Sequence, residues 1–97
     1  MKTPEGYEKD EIKKYLKEIG AFFFSPYMAG FGASGVPDLV ACIEGRFWGI
    51  EIKREGKEPT VIQKRRMDEI EEAGGLAVAG TAGIVIGTIR AWLREQK

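Results

Sequence analysis

Pro37-Asp38-Leu39-Val40-Ala41-Cys42-Ile43-Glu44-Gly45-Arg46-Phe47-Trp48-Gly49-Ile50-Glu51-Ile52-Lys53 is the stretch on which the fold turns. Two apolar runs, Leu39 to Ile43 and Phe47 to Ile50, flank a polar Glu44-Gly45-Arg46 step, which reads as strand, tight turn, strand. Strand side chains alternate faces, so Glu51 and Lys53 share one face while Ile52 points to the other. An antiparallel hairpin turning at Glu44-Gly45 brings Asp38, at the start of the first strand, beside Glu51 and Lys53 at the end of the second. Carboxylate oxygens suit a hard divalent cation, and a neighbouring ammonium can act on water or on phosphate charge. Glu51 lies among Phe47, Trp48, Ile50 and Ile52, where an unpaired carboxylate is costly. A metal ion or a salt bridge to Lys53 would compensate it.

Working outward, Pro4 to Ile19 is expected to be a helix, with proline in its first turn and Gly20 ending it. Ile12, Tyr15, Leu16 and Ile19 form its apolar stripe. Ala21 to Ser25, with its run of phenylalanines, is expected to be a buried strand. Pro26 to Val36 is a loop containing Gly30, Gly32 and Gly35. A second helix starts at Thr60, where Thr60-Val61-Ile62-Gln63 fits a capping box, and runs to about Ala73 before Gly74-Gly75 stops it. Leu76 to Ala79 is a short strand. Ile84-Val85-Ile86 favours a strand locally, yet Val85, Ile89, Trp92 and Leu93 recur at helical spacing. The expectation is a helix capped by Thr81 and ending near Gln96.

The 97 residues suffice for one domain, residues 1–97, and one core. No apolar run approaches the roughly 20 residues of a membrane span, and the start lacks a signal-peptide core, so no membrane partner and an intracellular location are expected. Cys42, the single cysteine, is expected to be a buried structural thiol. The chain has no histidine, which excludes Ser-His-Asp and Cys-His triads, HExxH zinc hydrolases and nucleases with a histidine base. Any chemistry runs on carboxylates, lysines and backbone. Net charge is zero, but residues 53 to 66 carry six bases (Lys53, Arg54, Lys57, Lys64, Arg65, Arg66) against two acids (Glu55, Glu58). A locally basic face on a neutral protein can follow a phosphate backbone.

The residues Gly35-Val36-Pro37-Asp38, Gly45-Arg46-Phe47, Glu51-Ile52-Lys53, Pro59-Thr60 and Gln63 resemble the virus-type replication-repair nuclease (VRR-NUC) family of the PD-(D/E)XK superfamily. So do the opening Thr3-Pro4-Glu5-Gly6 and the segment Ala73-Gly74-Gly75. The match runs from Thr3 to Ala79 and is similar to the short standalone members of phages and bacteria, which makes a phage or bacterial host cytoplasm the expected location. The resemblance implies an α/β restriction-endonuclease-like core, a mixed central β-sheet flanked by helices in the order α-β-β-β-α-β-α. It implies Mg²⁺ ligated by Asp38, Glu51 and the backbone carbonyl of Ile52, with Mn²⁺ as a substitute. Lys53 would then orient or deprotonate the attacking water, or stabilise the transition state. An acid of the first helix often completes such sites; of Glu5, Glu8 and Glu11, Glu5 matches the motif. Gln63 matches a glutamine behind the active site, where it would contact water, Lys53 or phosphate. A capping role explains Gln63 equally well, and the two roles are expected to exclude one another.

The loop from Gly30 to Val36 resembles the corresponding segment of archaeal Holliday-junction resolvases, with Ser34 and Gly35 as phosphate contacts. Arg54, Lys57, Lys64, Arg65 and Arg66 are the further candidate DNA contacts. Tyr27, Met28 and Phe31 are apolar loop residues suited to a dimer interface. The expected function is a metal-dependent endonuclease on branched DNA, resolving Holliday junctions as a homodimer. The alternatives are a monomeric flap or nicking nuclease and a DNA-binding module with a degenerate site.

Overall fold

The computed structural model describes residues 2–26 and 34–97. Its elements are α1 (Pro4–Glu18), β1 (Phe22–Phe24), β2 (Leu39–Ile43), β3 (Arg46–Ile52), α2 (Val61–Glu72), β4 (Leu76–Gly80) and α3 (Ala82–Glu95), in the expected α-β-β-β-α-β-α order. The candidate interface residues Tyr27, Met28 and Phe31, with Gly30 and Gly32, lie outside the described residues.

The hairpin forms as its sequence dictates. Glu44 and Gly45 take φ of 50° and 79°, the positive-φ pair whose twist matches two antiparallel strands. The register pairs Leu39 with Ile50 and Ile43 with Arg46. One residue beyond that ladder, Asp38 falls opposite Glu51. Strand β1 pairs antiparallel with β2, and β4 pairs parallel with β3, giving a four-stranded mixed sheet in the order β1-β2-β3-β4.

Alternation then decides the layers. Leu39, Ala41 and Ile43 of β2 and Trp48, Ile50 and Ile52 of β3 face α1 and α3, meeting Ile12, Leu16, Val85 and Ile89 in the core. Trp48 packs edge-on against Trp92, ring centroids 5.5 Å apart. The opposite face carries Phe47, Gly49 and Glu51, and α2 lies over it. A Cβ on Gly49 would come within 2.5 Å of Ile70 Cδ1, so the bare strand lets α2 sit close. The C-terminal segment is a helix, as the Val85, Ile89 and Trp92 spacing predicts, and Thr81 caps it by accepting from the Ile84 N–H.

Two expectations fail on this second face. Cys42 is exposed, not buried, because it points away from the core between its strand neighbours Phe22 and Phe47. Strand β1 is an edge strand: Phe22 is 72% and Phe24 53% exposed, and Phe23 alone turns inward against Ala41. Among the described elements, helix α2 covers β3 and β4 and does not reach Phe22, Phe24 or Cys42. None of the described helices is long and apolar enough to cross a membrane.

Candidate active site

Among the described residues, Glu51 is the one charged side chain in the buried interior, 3% exposed, at the end of a strand flanked on both sides. Burial pushes its carboxyl up to about 8, and the adjacent Asp38 pushes the same way through a hydrogen bond and its charge. Lys53 opposes the rise, and Glu5 adds weakly to it. The Glu51 carboxyl therefore keeps its proton near neutral pH. The backbone fixes Asp38, whose Oδ2 accepts a 2.8 Å hydrogen bond from the Ile52 N–H. This bond extends the hairpin ladder past Leu39 and locks one carboxylate beside the other.

Gln63, in the first turn of α2, reaches Glu51 from above the sheet. Its Nε2 donates to Glu51 Oε1 at 3.1 Å. At the same time its Oε1 accepts from the Thr60 N–H at 2.8 Å, while Thr60 Oγ1 accepts from the Gln63 N–H at 3.2 Å. The capping and site roles were expected to exclude one another, and they coexist. The amide has two ends, and each serves one role.

An open cleft of about 310 Å³ lies over this group, lined by Thr3, Glu5, Gly6, Lys9, Asp38, Glu51, Ile52, Lys53 and Gln63. The Thr3 N-cap, accepting from the Gly6 N–H, sets the first turn of α1 at the cleft rim. Glu5 is exposed there, whereas Glu8 lines a separate cavity with Arg54 and Lys57. Lys9 is a cleft residue that the motif reading missed; its signal is the i,i+4 spacing from Glu5, which puts both on one helix face. The anticipated Lys53–Glu51 ion pair is not among those of the described residues, Lys2–Asp10 and Arg66–Glu69.

Among the described residues, no three acidic, histidine or cysteine side chains converge into a ligand group. Glu5 stands at the rim without joining the carboxylate pair. Two carboxylates, one of them buried, still fit a small hard cation. Magnesium is commonly held through one or two protein carboxylates with water and substrate phosphate completing its shell. Exchanging the Glu51 proton for a cation would also relieve the cost of ionising a buried carboxyl.

Two solved structures have this arrangement of elements. One, described as a VRR_NUC domain, superposes with a TM-score of 0.77 at 22% identity over 92% of this chain and 96% of its own length. Another, a VRR_NUC domain protein, gives a TM-score of 0.76 at 23% identity over 97% of this chain and 91% of its own. The chain has the VRR-NUC fold. No protein-family sequence model matches it, and no curated protein does.

The basic candidates divide on the VRR-NUC fold. Lys64, Arg65, Arg54 and Lys57 are exposed. Arg66 is engaged instead: its Nε donates to the Ser34 carbonyl at 2.9 Å and its Nη1 to Glu69 at 2.9 Å. It lines an apolar groove with Val40, Phe47 and Ile70, not the cleft. Ser34 is exposed, with its carbonyl tied to Arg66. Gly35 has φ of +78°, and a Cβ there would lie 2.9 Å from the Ile62 carbonyl carbon. Close approach of the chain to the first turn of α2 therefore accounts for this glycine without a phosphate.

Proposed function

We propose that this chain is a magnesium-dependent endonuclease that hydrolyses phosphodiester bonds in branched DNA, Holliday junctions foremost, as a homodimer. The observation that carries the reading is Glu51, a carboxylate only 3% exposed, beside Asp38 and at a cleft that Lys53 also lines. A neutral side chain at that point would fold without the burial cost, so the acid is explained by what it binds. The VRR_NUC name of both structural relatives supports a nuclease over another metal-dependent hydrolase.

Asp38, Glu51 and the Ile52 carbonyl are the groups that would hold Mg²⁺, with Mn²⁺ as its substitute. When bound, such a cation supplies Lewis-acid activation of the phosphodiester and of the attacking water near neutral pH. Lys53 shares a strand face with Glu51, and its ammonium either orients that water or offsets the charge developing on the phosphate oxygens. Glu5, exposed at the rim, adds negative potential favouring a cation. Lys9 on α1 and the exposed Arg54, Lys57, Lys64 and Arg65 supply positive charge for the DNA backbone on either side.

A homodimer draws support from apolar side chains that lie exposed among the described residues. Phe22, Phe24 and Phe47 are 72%, 53% and 48% exposed, on neighbouring strands of one face. A second copy related by a two-fold axis would cover them and present paired sites to paired strands.

The test is cleavage of labelled four-way junction, flap and linear duplex with Mg²⁺, alongside Lys53→Ala. Paired symmetric nicks across the junction, reduced at least about 100-fold in the variant, are expected. Cutting of flap or linear DNA alone would keep the chemistry and replace the substrate. A DNA-binding module without catalysis is the second reading, favoured by the lack of a third converging acid among the described residues; binding without any metal-dependent cleavage would establish it.

A further inference from the structure

We infer that the N-cap of α2 is a positioning device for the carboxylate pair: Thr60 fixes the Gln63 amide so that only its Nε2 can face Glu51. The inference rests on the metal-binding reading of Asp38 and Glu51 given above. The Thr60 N–H must meet an acceptor, and Gln63 Oε1 supplies it at 2.8 Å. Flipping the amide would set its NH₂ against that N–H, and its oxygen against Glu51, so the network admits one orientation. Gln63 Nε2 then always donates to Glu51 Oε1, at 3.1 Å. That oxygen is committed as an acceptor, and the other Glu51 oxygen is left to a proton or a cation.

The consequence is a coupling between a helix start and a binding site. Thr60 is exposed and does not line the cleft, yet its hydroxyl holds the turn from which Gln63 reaches Glu51. Neighbours that hydrogen-bond to a metal ligand set its orientation, and losing one typically weakens metal affinity about 10–100-fold. The Thr81 cap of α3 is the natural comparison: the same residue type and the same bond to the third helical N–H, with no link to the carboxylates.

The experiment is calorimetric titration of Mn²⁺ into the full chain without DNA, with thermal unfolding of each variant measured in parallel. Gln63→Met, which keeps length but loses both ends of the amide, is expected to weaken Mn²⁺ binding about tenfold or more. Thr60→Ala should weaken it roughly fivefold, and Thr60→Ser should restore it. Thr81→Ala should lower the unfolding midpoint by a similar amount while binding Mn²⁺ as the parent does. Parent-like Mn²⁺ affinity in either Gln63→Met or Thr60→Ala would overturn the positioning role and leave the metal reading intact. Equal weakening in Thr60→Ala and Thr81→Ala would also overturn it, by tracing the effect to stability alone. A parent chain that takes up no Mn²⁺ would overturn the metal reading and this inference with it.

Discussion

Glu51 ties stability to pH in an unusual direction for a carboxylate. Its folded value of about 8 lies above the ordinary 4.5, so the neutral form is the one the fold favours. The stabilisation is complete below pH 4.5 and is lost as pH rises through about 8. The metal-free chain should therefore unfold at lower temperature at pH 9 than at pH 6 through this residue. Glu51→Gln should remove that slope and raise the midpoint at pH 9 by roughly 5–10 °C, read by circular dichroism. Cation binding must displace the Glu51 proton, so Mn²⁺ affinity should climb toward pH 8 and level off above it. Calorimetry near pH 7 in buffers of different ionisation enthalpy would count the proton released; no buffer dependence would place the proton elsewhere.

Helix α2 is the element through which the site is held. Its first turn carries Gln63, and Gly35 presses against the Ile62 backbone just before the chain reaches Asp38. Gly35→Ala sets a side chain in a left-handed backbone with no room, and should cost about 1–3 kcal/mol of stability and lower cation affinity with it. Further along the helix, charge-removing variants should separate. Replacing Lys64 and Arg65 with Ala should reduce the salt dependence of DNA binding by about one to two ions while leaving the fold intact. Arg66→Ala should act on stability instead, since its guanidinium joins Ser34 to Glu69. Equal salt slopes for all three arginine and lysine variants would contradict that division.

The element order was legible because local signals agreed: the Glu44-Gly45 turn, the Thr60 capping box, the 3.6-residue spacing of Ile12 and Leu16. Which face each strand buries was not. Cys42 and Phe22 look like core residues by type. Their exposure follows from β1 lying at an edge and from how far α2 reaches, facts set by pairing between distant segments. That Asp38 and Glu51 lie side by side was readable from hairpin spacing. The link from Gln63 to Glu51 was not, because it depends on where α2 lands.

At the scale of the whole molecule, Phe22, Phe24 and Phe47 lie exposed among the described residues, and the proposed second copy would cover them. Phe22→Asp with Phe47→Asp should leave a folded monomer, whereas the parent chain should scatter as a dimer at micromolar concentration; a monomeric parent would return the reading to flap or nicking substrates. If Asp38 and Glu51 together support metal-dependent hydrolysis of DNA, both the cation and Asp38 are required for strand scission. The rate of scission in a labelled four-way junction, with Mg²⁺ supplied or chelated, is to be measured for the parent and Asp38→Asn at matched DNA occupancy. Scission that needs Mg²⁺ and falls at least about 100-fold in Asp38→Asn, with binding retained, is the predicted result. Scission that persists in chelator, or that Asp38→Asn leaves unchanged, would mean that the carboxylate pair is not a catalytic metal site.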